Sequence, residues 1–206
     1  MRAFRVAVLI SGAGTNLQAL LDEVHAPGGP IEIVGVASSR ADAPGLERAQ
    51  HAGVETGVFE IEGERSQRDR ALGDWLESHE VDLVVLAGFM ELLGAQFIAR
   101  FAGRIVNVHP SLLPAFPGLR AIEQAVEAGV KVTGVTVHFV DEGMDSGAIV
   151  LQEALELPYP ARIAEIEERV HGVEHRLLPR AVRLIAAGRV RPDPANPRAV
   201  LVDDVD

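Results

Sequence analysis

Residues 105–121, IVNVHPSLLPAFPGLRA, indicate most directly how this chain folds. The apolar residues at their start predict a strand, which ends at Pro110 because proline lacks the backbone N–H of the ladder. Asn107 and His109 are two residues apart, so strand pleating directs both side chains to one face. The stretch therefore predicts two polar side chains at the exit of a strand, where open α/β sheets bind ligands.

Apolar segments of strand length alternate with segments of helical periodicity through the first half of the chain. Strands are predicted at 6–10, 31–37, 81–87 and 105–108, and helices at 17–24 and 66–79, the second opened by a capping pattern at 66–69. The strands are rich in Val, Leu and Ile, which indicates burial on both faces. This alternation predicts a parallel sheet with right-handed crossovers.

The second half of the chain predicts an antiparallel edge. Strands at 133–140 and 149–155 are joined by a loop too short for a parallel crossover, and a helix follows at 163–187 with a proline inside it. We expect a single α/β domain over 1–188, with a mostly parallel central sheet, an antiparallel edge and helices on both faces. Prolines and acids in the tail at 189–206 predict poor order there.

The composition of the chain excludes several classes of function. With 206 residues, 48% of them hydrophobic, it is long enough for one well-packed core. A formal charge of −11 argues against a surface that coats nucleic acid, because such surfaces neutralise phosphates with Lys and Arg. Cys is absent, which rules out disulfides, thiol nucleophiles and thiolate metal sites. No apolar run approaches the roughly 20 residues that span a bilayer, so we expect a cytoplasmic protein.

An acidic segment at 140–147, VDEGMDSG, places Asp145 in a glycine-flanked loop after a predicted strand. An Asp beside a His raises the pKa of the imidazole and fixes its orientation, which suits a positively charged donor near neutral pH. His109 and Asp145 are therefore candidate partners in catalysis. The alternative for the strand-end residues is structural: Asn107 satisfies a turn and His109 is hydrogen-bonded in the core.

The loop after the first strand is rich in glycine. Its sequence, LISGAGTN at 9–16, turns tightly and leads into a helix whose free N-terminal amides attract phosphate. The loop lacks the third glycine of the dinucleotide-binding pattern, since Leu17 stands there, and it has no Gly-Lys-Ser/Thr. Thr15 and Asn16 are candidates to cap the helix or to bind the phosphate. We expect a small phosphate site, with a purely structural turn as the alternative.

Four segments occur in an order that is specific to one family. They are LISGAGTNLQAL at 9–20, VVLAGFM at 84–90, NVHPSLLP at 107–114 and GVTVHFV at 134–140. Together they resemble the phosphoribosylglycinamide formyltransferases, the folate-dependent glycinamide ribonucleotide transformylases of purine synthesis, over residues 4–188. The resemblance implies a formyltransferase fold. It also implies transfer of a formyl group from the co-substrate 10-formyltetrahydrofolate to the amine of 5-phosphoribosylglycinamide, in de novo IMP biosynthesis.

The resemblance further implies a role for each matching residue. The catalytic trio would be Asn107, His109 and Asp145. The residues that hold the ribonucleotide would be Gly12, Ala13, Gly14, Thr15, Asn16, His171 and Glu174. The residues around the folate would be Arg65, Met90, Glu91, Leu92, Leu93, Asn107, Asp141, Glu142, Gly143, Met144 and Asp145. No metal is implied.

The trio suits formyl transfer because negative charge develops on the formyl oxygen when the amine attacks the formyl carbon. The Asn107 amide and a protonated His109 can donate hydrogen bonds to that oxyanion. Asp145 keeps His109 charged and oriented, and an ordered water can carry the amine proton toward the departing folate nitrogen. No covalent enzyme intermediate is required.

Some positions depart from residues that are common in the family. Ala13 replaces a polar residue, Glu91 a basic one, Arg120 and Ile122 two histidines, and Ser146 a glycine. None of these changes removes the trio. They bear instead on the placement of the folate and the phosphate.

Several of these residues also have an ordinary structural interpretation. Met90, Leu92 and Leu93 would suit the core at a strand end, and Arg65 would suit a solvated surface. His138 alternates with apolar residues on its predicted strand, so it is interpreted as a structural histidine.

Other functions stay open at this point. His171, Glu174 and His175 fit the His-x-x-Glu-His pattern of a zinc hydrolase, although no third ligand has convincing spacing. Formyltetrahydrofolate deformylase shares the trio, and methionyl-tRNA formyltransferase is a further relative, but each usually carries a second domain that we do not expect here. A non-catalytic folate or nucleotide binder would bind without turnover. We expect small-molecule substrates, neither nucleic acid nor membrane as partner, and a monomer or homodimer.

Overall fold

Strands and helices alternate through the first half of the chain, as the apolar periodicity predicted. The computed structural model describes residues 2–158, 160 and 162–203. They form two compact units, which meet in sequence between Asn107 and Val108. The elements of the first unit are β1 (Phe4–Ile10), α1 (Thr15–Glu23), β2 (Ile31–Ser38), α2 (Gly45–His51), β3 (Thr56–Val58), α3 (Arg65–Ser78), β4 (Leu83–Leu86), α4 (Ala95–Arg100) and β5 (Ile105–His109), whose last two residues belong to the second unit.

The strands of the first unit pair in the order β3-β2-β1-β4-β5, and all the pairs are parallel. β4 is buried along its whole length, and β1 is buried from Val6 onward. This burial on both faces is what their near-continuous apolar sequence predicted. Because the strands are parallel, the carboxyl ends of β1, β4 and β5 lie at one edge of the sheet, and the segments that follow these ends are where ligands bind in such sheets.

The start of α3 differs from its predicted capping pattern. The helix begins at Arg65, and Ser66 Oγ donates a hydrogen bond to the Glu64 carboxylate over 3.2 Å instead of capping the helix. Asp69 is buried, and its carboxylate accepts from Arg68 Nε over 2.7 Å and from Gly94 N–H over 2.8 Å. The Asp69 carboxylate is thus engaged by the adjacent Arg68 and by Gly94, and it takes no part in capping the helix.

The second unit contains the antiparallel pair that the short connecting loop predicted. Its elements after β5 are α5 (Ala121–Glu127), β6 (Val132–Phe139), β7 (Ile149–Glu156), α6 (Ile163–Ala186), β8 (Val190–Asp193) and β9 (Asn196–Val202). β6 and β7 are antiparallel, with Val135 opposite Glu153. α6 packs against β6, β7 and α5 through a buried apolar stripe that includes Val170, Val173 and Leu177. α6 continues through Pro179, although a proline in a helix interior removes one backbone hydrogen bond and often breaks the helix.

The tail is more regular than its prolines and acids predicted. β8 and β9 form an antiparallel hairpin, with Val190 opposite Val202, and β9 joins β7 in parallel where Ala199 lies opposite Ile149. β9 ends in four consecutive apolar residues at 199–202, and its pairing with β7 and β8 outweighs the turn-forming prolines. Residues 204–206 lie outside the described residues. Within the described residues, the structure holds no helix with the length and apolar character needed to cross a bilayer.

Candidate active site

His109 and Asp145 lie together in the second unit. His109 is the last residue of β5, and only 5% of its surface is exposed. Its Nδ1 is 3.5 Å from Asp145 Oδ2, and its Nε2 is 2.9 Å from the Phe116 carbonyl oxygen. Because a carbonyl only accepts, Nε2 carries a hydrogen in this arrangement. Asn107 precedes His109 by two residues on the same strand, so both side chains are directed to one face of it.

The Asp145 carboxylate is held from three directions. Gly118 N–H donates to Oδ2 over 2.7 Å, and His138 Nε2 lies 3.6 Å from Oδ1. The contact with His138 is the largest cause that lowers the pKa of Asp145, to about 2, and the Gly118 N–H and the nearby His109 act in the same direction against the effect of burial. Asp145 has a φ of 50°, in the left-handed region that disfavours a side chain. The carboxylate is therefore an anion near neutral pH, at a fixed position.

His138 is a site residue that the sequence did not predict. It lies in β6, is 2% exposed, and its Nδ1 is 2.8 Å from the Phe139 carbonyl oxygen, while Nε2 faces Asp145. The structural interpretation of its alternating pattern was therefore incomplete. The signal for its role is weak: His138 precedes Asp145 by seven residues, on the strand that leads into the acidic loop.

Residues 141–146 form a tight loop around the carboxylate of Asp141. Asp141 Oδ1 accepts from Gly143 N–H over 3.0 Å and from Ser146 Oγ over 2.7 Å. Ser146, one of the departures from the family pattern, thus has a role in shaping the loop. Glu142 is exposed, and Met144 is 64% exposed.

In the first unit, the loop after β1 leads directly into α1. Gly14 has a φ of 70° and is the N-cap residue, with no side-chain cap bond, and α1 begins at Thr15. Neither Thr15 nor Asn16 therefore caps the helix, which corrects one of the two roles open to them. Ala13 is exposed and Gly12 half-buried, and no acidic residue lies in the first turn of α1. Such an open helix start is suited to an anion.

The segment after β4 is held at two points within the same unit. Met90 N–H donates to Ser11 Oγ over 2.8 Å, and Arg68 Nη2 donates to the Leu92 carbonyl over 2.9 Å. The Met90 and Leu92 side chains are 63% and 61% exposed, so neither is core, whereas Glu91 and Leu93 are half-buried. This exposure corrects the alternative that placed Met90 and Leu92 in the core.

Arg65 stands at the start of α3 and lines a cavity of about 600 Å³ in the first unit. Arg70 and Arg100 line the same cavity, and Gly94 and the buried Phe97 contribute to its wall. Asp69 lines the cavity as well, and Arg100 pairs with Asp74 and Glu77, so charges of both signs surround it.

The residues of the zinc-hydrolase pattern lie on α6. The His171 and His175 rings are nearly parallel, with centroids 6.2 Å apart, while Glu174 is buried. Burial first, and then the charge of His171, lowers the pKa of His175. Within the described residues, no group of three His, Cys, Asp or Glu side chains is arranged to hold a metal ion.

The class of protein is formyl transferase, because most of the chain matches that family. Residues 4–182 match the family described as formyl transferase. A phosphoribosylglycinamide formyltransferase from Haemophilus influenzae is 44% identical over 91% of this chain and 89% of its own length. The crystal structure of glycinamide ribonucleotide transformylase 1 from Symbiobacterium toebii has a TM-score of 0.92 and 46% identity, and the match covers 98% of this chain and 95% of that one.

The chain belongs to the phosphoribosylglycinamide formyltransferase family, as the resemblance of its four segments predicted. It is also 46% identical, over 91% of its length, to the trifunctional purine biosynthetic protein adenosine-3 from Gallus gallus. The chain spans about a fifth of that relative, 19% of its length.

Proposed function

We propose that this protein transfers the formyl group of 10-formyltetrahydrofolate to the amine of 5-phosphoribosylglycinamide. The products are formylglycinamide ribonucleotide and tetrahydrofolate, and the reaction is a step of de novo purine synthesis. The observation that carries the proposal is the buried pairing of His109 with Asp145 at the end of β5, in a chain of this family. The names of the relatives support the choice of acceptor.

In the proposed reaction the amine nitrogen attacks the formyl carbon and forms the new C–N bond. The carbonyl oxygen becomes an oxyanion, to which the Asn107 amide and the His109 Nε2–H donate hydrogen bonds. In this step the Nε2–H turns to the oxyanion from the Phe116 carbonyl, which faces it in this structure. The bond from the formyl carbon to folate N10 then breaks as the oxyanion collapses, and the proton lost by the amine passes through water to N10. Atoms and charge balance without a covalent enzyme intermediate, an oxidant or a metal.

Asp145 acts in this proposal through His109. A fixed carboxylate beside Nδ1 orients the imidazole and stabilises its positive charge, which strengthens its donation to the oxyanion. The low pKa of Asp145 supports this role, because the carboxylate stays ionised across the physiological range. His138 and the Gly118 N–H hold the carboxylate in place.

We assign the two substrates to separate groups of residues. For the ribonucleotide, the residues in the first unit are those at the open start of α1, Gly12, Ala13, Gly14, Thr15 and Asn16, and those in the second unit are His171 and Glu174 of α6. For the folate, the residues in the first unit are Arg65, Met90, Glu91, Leu92, Leu93 and Asn107, and those in the second unit are 141–145. The exposure of Met90, Leu92 and Met144 supports this assignment, because exposed large apolar side chains suit contact with an aromatic ligand. We expect only small-molecule partners, and a cytoplasmic monomer or homodimer.

A transfer assay tests the proposed function. The pure protein is incubated with 10-formyltetrahydrofolate, with and without 5-phosphoribosylglycinamide, and tetrahydrofolate and formate are measured. We expect tetrahydrofolate to form only when the ribonucleotide is present. Release of formate without the ribonucleotide would indicate a deformylase, and ligand binding without turnover would indicate a non-catalytic binder. In the same assay His109→Ala should lose most of the turnover, and His51→Ala, at an exposed histidine on α2, is its matched control.

A further inference from the structure

Arg48 on α2 holds the glycine loop that we propose for the ribonucleotide phosphate. Its Nε donates a hydrogen bond to the Ala13 carbonyl over 2.9 Å, and its Nη1 donates to Gln18 Oε1 over 3.1 Å. One guanidinium thus joins the loop before α1 to the first turn of α1. Because the donors of a guanidinium have a fixed planar geometry, the two bonds together restrict where the loop can lie.

The loop is packed closely against the start of α2. Gly45 N–H donates to the Gly12 carbonyl over 3.0 Å. A Cβ atom on Gly14 would lie 2.7 Å from Gly45 Cα and 3.5 Å from Arg48 Cδ. The Arg48 side chain therefore lies close to the loop backbone, and it is half-buried there.

Arg48 also brings a positive charge that its surroundings do not neutralise. Among the residues that the structure describes, its partners are the Ala13 carbonyl and the Gln18 amide, both of them neutral, and no carboxylate pairs with it. The first turn of α1 holds no acidic residue either. A cation without a carboxylate partner, placed beside a helix N-terminus, lowers the free energy of an anion at that place.

We propose that Arg48 is a positioning residue for the phosphate of the ribonucleotide. It fixes the Ala13 carbonyl, so that the loop amides keep one orientation, and it adds a positive charge beside them. The inference rests on the proposed function, because that function supplies the phosphate. Lys at this position would keep the charge but lose the pair of hydrogen bonds, whereas Met would lose both.

Isothermal titration calorimetry measures ligand binding to the Arg48→Met and Arg48→Lys variants, and so it tests the proposal without relying on turnover. The probes are 5-phosphoribosylglycinamide, inorganic phosphate and tetrahydrofolate. We expect Arg48→Met to raise the Kd of both phosphate-bearing probes about tenfold, the effect of losing one charge-assisted interaction. Arg48→Lys should have a smaller effect, and the Kd of tetrahydrofolate should not change. In turnover, KM for the ribonucleotide should rise while kcat stays within about twofold.

Arg40→Met is the matched control, since Arg40 lies shortly before α2, is exposed and pairs with Asp42. It removes the same charge and should leave all three Kd values unchanged. An unchanged Kd for both phosphate-bearing probes in Arg48→Met would overturn the proposal. An equal rise in the Kd of tetrahydrofolate would also overturn it, because it would indicate general disruption of the protein. If the wild-type protein binds the ribonucleotide but transfers no formyl group, the proposed function fails while the binding comparison still decides the role of Arg48.

Discussion

His138 Nε2 lies 3.6 Å from Asp145 Oδ1, so the carboxylate that faces His109 also faces a second buried imidazole. His109 ends β5, and His138 lies in β6, the next strand along the chain. Asp145 is thereby fixed between them, with the Gly118 N–H as a third partner. The carboxylate is part of a network, and its contribution to catalysis and its contribution to stability can be measured separately.

The first prediction concerns coupling between His109 and Asp145. His109→Ala should lower kcat by ~100 to 1000-fold, the usual loss for one oxyanion donor, with binding less affected. Asp145→Asn keeps nearly the same shape but removes the charge beside Nδ1. Because Asp145 acts through His109, the double variant should be little slower than the worse single variant in steady-state kinetics.

A combination with a distant site provides the control for this cycle. Arg189→Gln changes an exposed arginine after α6, and its small effect should multiply with that of His109→Ala. If the kcat losses of His109→Ala and Asp145→Asn also multiply in the double variant, the two residues act independently, and the proposed catalytic trio is wrong.

The second prediction concerns stability against pH. The pKa of Asp145 is about 2 in the folded protein, below its ordinary value of 3.8. Between these values the unfolded chain binds more protons, so stability rises with pH across this window. The stabilisation is fully present above about pH 4 and is lost as pH falls through about 2, and by linkage it amounts to about 2 kcal/mol. Urea unfolding of the wild type and Asp145→Asn from pH 2 to 6 should show the difference shrink at the acid end.

His138→Gln provides a further arm of the pH experiment. Removing the largest cause of the low pKa of Asp145 should raise that pKa, so the acid loss of stability should begin at higher pH than in the wild type. A pH profile identical in the wild type and Asp145→Asn would show that Asp145 does not contribute in this way.

The third prediction concerns the Ser11 hydroxyl. Ser11 Oγ accepts from Met90 N–H and is 2.6 Å from Ser39 Oγ, and both serines are buried. Ser11→Ala leaves the buried Ser39 hydroxyl and the partly buried Met90 N–H without this partner, which should cost ~1–3 kcal/mol of unfolding free energy. Because the Met90 segment is the proposed folate site, KM for the folate should rise as well. Ser78→Ala, at an exposed hydroxyl, should change neither quantity, and an unchanged folate KM in Ser11→Ala would separate Met90 from folate binding.

The fourth prediction uses two glycines with nearly the same backbone conformation. Gly14 has a φ of 70° and Gly53 a φ of 73°, so Ala at either position carries a similar backbone cost, about 1–2 kcal/mol. A Cβ at Gly14 would meet Gly45 Cα at 2.7 Å, whereas a Cβ at Gly53 has no atom within 4 Å. Gly14→Ala should therefore unfold at lower urea concentration than Gly53→Ala, and it should also lose ribonucleotide affinity. Equal unfolding midpoints would show that the loop yields to the added methyl group.

Local pattern was sufficient for much of the fold. The apolar runs at β1, β4 and β5 predicted buried parallel strands, because a strand covered on both faces needs apolar side chains on both of them. The short loop between β6 and β7 predicted their antiparallel pairing, since a parallel crossover needs a longer connection. α2, α4 and β3 escaped prediction because elements of 7, 6 and 3 residues are too short to show a period.

The sequence by itself determined that Asn107 and His109 share one face at the end of β5, because strand pleating fixes side-chain direction within one strand. It also determined the glycine loop before α1 and, through its four ordered segments, the family. Only the tertiary structure decided which groups complete these sites. His138 beside Asp145, Ser11 under Met90 and Arg48 against Ala13 are contacts between residues of different elements, and such pairings depend on how the elements pack rather than on any local period. Asp69 is a similar case. Its local sequence predicted a helix cap, but its carboxylate instead accepts hydrogen bonds from Arg68 and from Gly94, which is distant in sequence.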